Sequence, residues 1–245
     1  MRPPAPNHTK VRAVERLHRL LILGLGALLA VELAAALFAH QWLNAALIAG
    51  ILAVSASPAV LDRRLGVRIP AEFQLLAVLF AFASLFLGEV HHYYERIWWW
   101  DLLLHSLSGV LMGILGFLLV NLLNEDDRIE VVLTPRFVAL FAFLFAVGVG
   151  SLWEIFEFAM DRLAGTRMQK PMASDPSGLT DTMWDLIANA LAALAVSLLG
   201  WRYLAGGRPT FIQRWIDKFI HDNPRLFRHA RAVARRGRRA LGRRR

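Results

Sequence analysis

The sequence predicts an all-α, polytopic membrane protein. It has six transmembrane helices, both termini on the cytoplasmic side, a cytoplasmic amphipathic helix and an Arg-rich tail. Three observations predict this fold. Of 245 residues, 56% are hydrophobic and 19% charged, and the mean hydropathy is +0.44; a soluble domain of this length needs more polar surface. Six apolar segments, about 17–38, 41–61, 71–90, 99–123, 136–162 and 179–204, each supply the roughly 20 residues that a helix needs to cross hydrocarbon. Basic residues then set the orientation. With the N-terminus inside, all of the 28 Lys and Arg fall on the cytoplasmic side except Arg96, Arg162, Arg167 and Lys170, as the positive-inside rule requires.

Taken in order, the elements begin with a basic cytoplasmic leader, residues 1–16. The first apolar segment follows it like a signal peptide, but its apolar run exceeds the usual length of about 7–15 residues, so it reads as a retained helix. His40 and Gln41 form a very short external turn. Segments two to six complete a transmembrane domain over 17–204. The external loop 163–178 is rich in Gly, Pro and Ser, which break helices, and can cover a site as a lid. Thr180 stands before Asp181 as the expected cap of segment six. Residues 205–245 form the cytoplasmic region. In it, apolar residues at 211, 212, 215, 216, 219 and 220 make one helical face, the pattern of a helix lying in the membrane interface. The last 21 residues hold ten Arg and no acid, which suits anionic lipid headgroups. The expected partner is therefore the bilayer, with anionic lipid at the tail and no nucleic acid. The expected location is a bacterial inner (plasma) membrane, crossed several times.

Three acidic stripes carry the chemistry. Asp101 and His105 open segment four; Glu154, Glu157 and Asp161 close segment five; Asp181, Asp185 and Asn189 open segment six. The spacings are i,i+4; i,i+3,i+7; and i,i+4,i+8, so each set shares one helix face. Intramembrane ionisable groups cost about 2.5–3.5 kcal/mol each on insertion scales, and so face a partner or a cavity. The predicted topology puts all three stripes at the outer side, although hydropathy and basic residues alone defined it. There is no Cys, which excludes disulfides and thiolate metal sites.

Clustered carboxylates repel unless a cation or a protonated His relieves them. The expected metal ligands are Glu154, Glu157, Asp161, Asp181, Asp185 and His105. The ion is hard (Mg, Mn or Ca) if carboxylates dominate, or Zn if His105 binds. Glu157 and His105 are candidate acid/base groups, and Asp101 is expected to orient His105. The structural reading of each stripe is a wetted helix end or interhelical hydrogen bonding, with Asn189 the best candidate for the latter. His91 and His92 read first as part of an aromatic belt with Tyr93, Tyr94 and Trp98–Trp100. No phosphate-cradling glycine loop, zincin helix or nucleophile elbow is present. Ser151 has no neighbouring His in sequence.

The stretch Trp98–Gly109, with Trp153–Phe158, Gly165–Gln169 and Asp181–Asn189, resembles the YjdF-like family of uncharacterised bacterial inner-membrane proteins. The resemblance covers about half the chain. It implies a small multi-helix membrane protein with outward-facing acidic motifs, and no established substrate. The Arg-rich tail is not part of it. The leading expectation is a divalent-metal-dependent hydrolase or transferase acting on a lipid or envelope intermediate. A cation or proton-coupled transporter and a structural or regulatory membrane protein are the alternatives.

Overall fold

A computed structural model describes residues 8–65, 69–123, 133–172, 174–206 and 211–224. These residues are mostly helical and contain no strand, only an isolated bridge between Met172 and Asp175. The elements are α1 (His8–Phe38), α2 (Trp42–Leu65), α3 (Ala71–Ala81) running on as a π-helical segment (Phe82–Val90), α4 (Tyr93–Arg96), α5 (Trp100–Leu123), α6 (Pro135–Ala164), α7 (Leu179–Leu204) and α8 (Phe211–Asp222). By length and composition, five helices can cross a membrane: Leu20–Phe38, Glu72–Val90, Trp100–Asn121, Pro135–Ala164 and Leu179–Leu204. The apolar run described in α2, Asn44–Ser57, is shorter. The tail 225–245 and the acidic turn 124–127 lie outside the described residues.

The chain divides into two compact units between Tyr93 and Tyr94. In the first, α1, α2 and α3 with its π-helical extension pack around Leu29, Ile48, Ile51 and Phe86. His40 takes a left-handed conformation (φ 57°), and Gln41 N donates to Ala36 O. That closes the α1–α2 turn over three residues, Ala39, His40 and Gln41, one more than expected.

In the second unit α5, α6 and α7 each pack against the other two, and α8 packs against α5 and α7. Local sequence explains the ends of α6. Thr134 caps it by accepting from Phe137 N, Pro135 follows where no amide hydrogen is needed, and Gly165 ends it at φ 68°. Small residues set the helix spacing. A methyl group added at Gly116 would lie 2.8 Å from Ala142 Cα, and one at Gly113 would lie 3.2 Å from Val196. Gly200 lies against the ring of Phe117. Such contacts let backbones approach closely, the usual basis of helix association in lipid.

The buried faces of α6 and α7 each grade from small to acidic. On α6 the stripe runs Ala139, Ala142, Ala146, Gly150, Glu154, Glu157. On α7 it runs Asp181, Asp185, Asn189, Ala193, Ser197, Gly200. Since α5 and α7 start where α6 ends, the acidic ends of all three stripes lie at one end of this bundle.

Candidate functional site

His105 is the centre of the cluster. It is buried in the second turn of α5. Its Nε2 lies 3.5 Å from Asp101 Oδ1 and 3.9 Å from Asp185 Oδ2. Its Nδ1 lies 3.5 Å from Glu154 Oε1. The imidazole thus stands between two carboxylates on one edge and a third on the other. One ligating atom each from Asp101, His105 and Asp185 lie within 4.8 Å of one another.

Around this triad, burial exceeds hydrogen bonding. Among the described residues, both carboxylate oxygens of Asp185, Glu157 Oε2 and Asp181 Oδ1 are buried without a hydrogen-bond partner, and the Glu154 carboxylate has only an approach from the Thr182 side chain. Most buried polar groups in folded proteins do have one. The remaining oxygens have defined donors. Glu157 Oε1 accepts from Trp153 Nε1 at 2.7 Å, and Asp181 Oδ2 accepts from the backbone of Lys170 at 2.7 Å.

Asn189 lies one turn below Asp185 and is wedged between two glycines. A methyl group at Gly109 would collide with its backbone oxygen, and one at Gly150 with its amide nitrogen. Both polar atoms of its side chain lack partners among the described residues, so the interhelical hydrogen bond of its structural reading is not formed there. Close packing holds the residue instead.

Asp161 sits apart from the triad. It accepts from Thr166 Oγ1 (2.6 Å), Met168 N (2.7 Å) and Gln169 N (3.0 Å), and so folds the following loop back over α6. Gln169 Nε2 donates to Thr182 Oγ1, and Lys170 Nζ lies over the Tyr94 ring. The loop is therefore pinned to the first turn of α7 beside Asp181, where the sequence placed a lid. Its exit differs from expectation. The cap position of α7 is Gly178 (φ 80°), not Thr180, whose hydroxyl instead donates to Asp175 Oδ2. Asp175 also accepts from Thr180 N and from Ser177. The donors of Ser177, then those of Thr180, hold its carboxyl well below the usual range. The Asp-Pro-Ser-Gly turn signature contained this signal.

Other residues are placed plainly. Ser151 Oγ donates to Val147 O, a bond within its own helix. His91 and His92 are exposed and belong to the first unit. Trp153, absent from the expected site residues, stands four before Glu157 and so puts its indole N–H on that carboxylate.

Residues 17–206 match the family described as "Predicted membrane protein (DUF2238)", and the chain belongs to that family. An uncharacterised protein of Thermotoga maritima is 30% identical over 152 residues, which cover 61% of this chain and 72% of that one. No solved structure matches.

Proposed function

We propose that the acidic cluster is a divalent-metal site opening to the extracytoplasmic side of a bacterial inner membrane. The enclosing fold is a YjdF-like arrangement of six spans with both termini inside. The basic leader (1–16) and the region 205–245 are cytoplasmic, the latter resting on anionic lipid. The observation that carries the reading is the approach of Asp101, His105 and Asp185 ligating atoms to within 4.8 Å, beside oxygens of Asp185, Glu157 and Asp181 that are buried without a hydrogen-bond donor among the described residues. A donor set of two carboxylates and one imidazole fits Mn or Zn, and accommodates Mg if water completes the shell.

The geometry supports a division of roles. Asp101, His105 Nε2 and Asp185 supply ligands. Glu154 Oε1, 3.5 Å from His105 Nδ1, takes the place of the carboxylate behind a metal-bound imidazole and would orient the ring once the ion binds. Asp161 anchors the loop, a different role from the ligation expected of it. Glu157, with Oε1 held by Trp153 and Oε2 lacking a donor, is positioned to accept a proton from an attacking hydroxyl. Asp181 tethers the loop through Lys170, and its other carboxylate oxygen is buried without a donor among the described residues. When bound, the cation supplies Lewis-acid polarisation of a phosphoryl or carbonyl oxygen. A hydrolysis or transfer reaction on a lipid or envelope intermediate suits a site at headgroup depth.

Transport is the weaker reading. Below Asn189 the buried faces of α6 and α7 turn to Ala, Val and Gly, with Ser197 the one polar side chain among the described buried residues there. The test is metal content of the purified full-length protein, compared with Asp185→Asn and Asp161→Asn. Wild type and Asp161→Asn are expected to carry near-stoichiometric metal, and Asp185→Asn to lack it. Equal, negligible metal in all three removes the metal reading.

A further inference from the structure

A groove between α6 and α7 lies at the end of the second unit's bundle remote from the acidic cluster. Its volume is ≈ 300 Å³, at the low end of the roughly 300–1,000 Å³ seen for small-ligand sites. Leu140 and Phe143 of α6 line one wall and Leu198 of α7 the other. Arg136, in the first turn of α6, and Trp201, near the end of α7, stand together at one end. No acidic residue lines the groove.

Ser197 gives the groove a second, independent polar feature. It lines the groove, is 3% exposed, and its Oγ has no hydrogen-bond partner. A serine inside a helix can satisfy its hydroxyl by donating to the carbonyl four residues earlier. Ser55, Ser106 and Ser151 of this chain do so. The Ser197 hydroxyl is not used in that way and has no hydrogen-bond partner among the described residues. It lies four residues before Trp201, about 6 Å deeper along the helix.

From the mouth inward the groove is therefore lined by a guanidinium with an interfacial indole, then by a serine one turn down whose hydroxyl is unpartnered, then by apolar walls. A phospholipid presents the complementary series: an anionic phosphate, an ester carbonyl a few ångströms deeper, then an acyl chain. We propose that this groove holds one anionic membrane phospholipid. Arg136 takes the phosphate as a charge-assisted contact. Ser197 Oγ donates to an ester carbonyl, and the chain lies along Leu140, Phe143 and Leu198. Trp201 marks headgroup depth, where indoles concentrate. Arg202, in the last turn of α7, adds positive charge at the same end. The site is separate from the acidic cluster and does not depend on its occupancy by metal.

The test uses full-length protein in nanodiscs of phosphatidylcholine with a minority of phosphatidylglycerol, released into mild detergent for native mass spectrometry. The wild type is expected to retain one phosphatidylglycerol. Arg136→Gln should weaken that retention by about fivefold, the worth of one basic contact at a membrane surface. Ser197→Leu should block the groove and abolish it, and Ser197→Ala, which removes only the hydroxyl, should weaken it without disturbing packing. Leu191→Ala, on an exposed face of the same helix, should bind as wild type. Undiminished retention in Arg136→Gln or Ser197→Ala, equal retention of the two lipids by wild type, or a second copy of the chain in place of a lipid overturns the proposal.

Discussion

Asp185→Asn separates a metal site from a helix contact, because the two readings give opposite signs. The substitution removes one charge and keeps the side chain's size. Asp185 is fully buried, and neither carboxylate oxygen has a donor. A carboxylate oxygen of Asp101 lies within 4.8 Å of it. Two unit charges at that separation repel by about 3.5 kcal/mol at an effective dielectric of 20. Metal-free protein, which must either bear that repulsion or take up a proton at Asp185, should therefore be more stable with Asn there, by up to about 3 kcal/mol. At about 2–4 °C per kcal/mol for a chain of this size, the melting temperature rises by up to roughly 6–12 °C. Metal-loaded protein behaves otherwise. With free metal at a thousand times Kd, wild type gains about 4.1 kcal/mol, whereas the variant has lost a ligand and gains little. The order of melting then reverses. The assay is thermal unfolding in detergent, with chelator and then with saturating Mn or Zn. If the variant melts below wild type in chelator, Asp185 acts as helix glue. If both proteins shift equally with metal, the triad is not the ligand set. Either outcome refutes the reasoning.

Three further outcomes are expected. Glu154→Gln should weaken metal binding by about 10–100-fold while the triad stays intact, the usual effect of losing the partner behind a ligating His; competition with a fluorescent chelator measures it. Gly150→Ala should destabilise by about 1–3 kcal/mol, because its methyl group meets the Asn189 amide. Gly148→Ala, with nothing within 4 Å of its new methyl, should stabilise by about 0.8–1.0 kcal/mol through helix propensity; parallel melts compare the two. Asp175 has a depressed folded-state pKa, so its support of the α7 entry should be complete above the unfolded value of about 3.9 and fade as pH falls through and below it. Protease cleavage between 165 and 178 should be unchanged from pH 8 to 5 and faster in Asp175→Asn across that range.

Much of the fold was legible because lipid leaves few options. Backbone polar groups must be satisfied within each segment, so a run of 20 apolar residues is nearly a helix assignment. The ends predicted for segment six, 179–204, match α7, and α5 and α6 agree within two residues. The polar faces were legible for the same reason: a carboxylate every third or fourth residue can point only one way. What the sequence could not supply was the rotation and slide of one helix against another. That is why Asp101, expected behind His105, shares the Nε2 edge with Asp185, while Glu154, expected as a ligand, faces Nδ1. Asp161 lies on the acidic face of α6 by spacing, but it is the last of that stripe, and the nearest donors are the loop amides just beyond. Thr180 was mistaken for a cap because a Gly with positive φ three residues before Asp181 carries no side-chain signal of its own.

The small residues and the acidic residues are parts of one device. On α6 and α7 they occupy the same face at the same helical period, so the packing that draws the helices together also draws the carboxylates together. Asn189 marks the changeover: glycines on α5 and α6 close on it from two sides, and one turn above it Asp185 meets His105. A bundle held by its polar residues would pair them, since each buried unpaired group costs about 1–3 kcal/mol. Here the apolar end of the stripe supplies the close packing, and the carboxylates at the other end are held close with their oxygens unmatched. That division fits a preformed ligand cluster better than helix glue. It also predicts that loosening the apolar end, by Gly116→Val against the Ala142 backbone, should lower metal affinity at a distance along the bundle without touching a ligand. Unchanged metal affinity in a folded Gly116→Val protein would show that the cluster is set by its own residues alone.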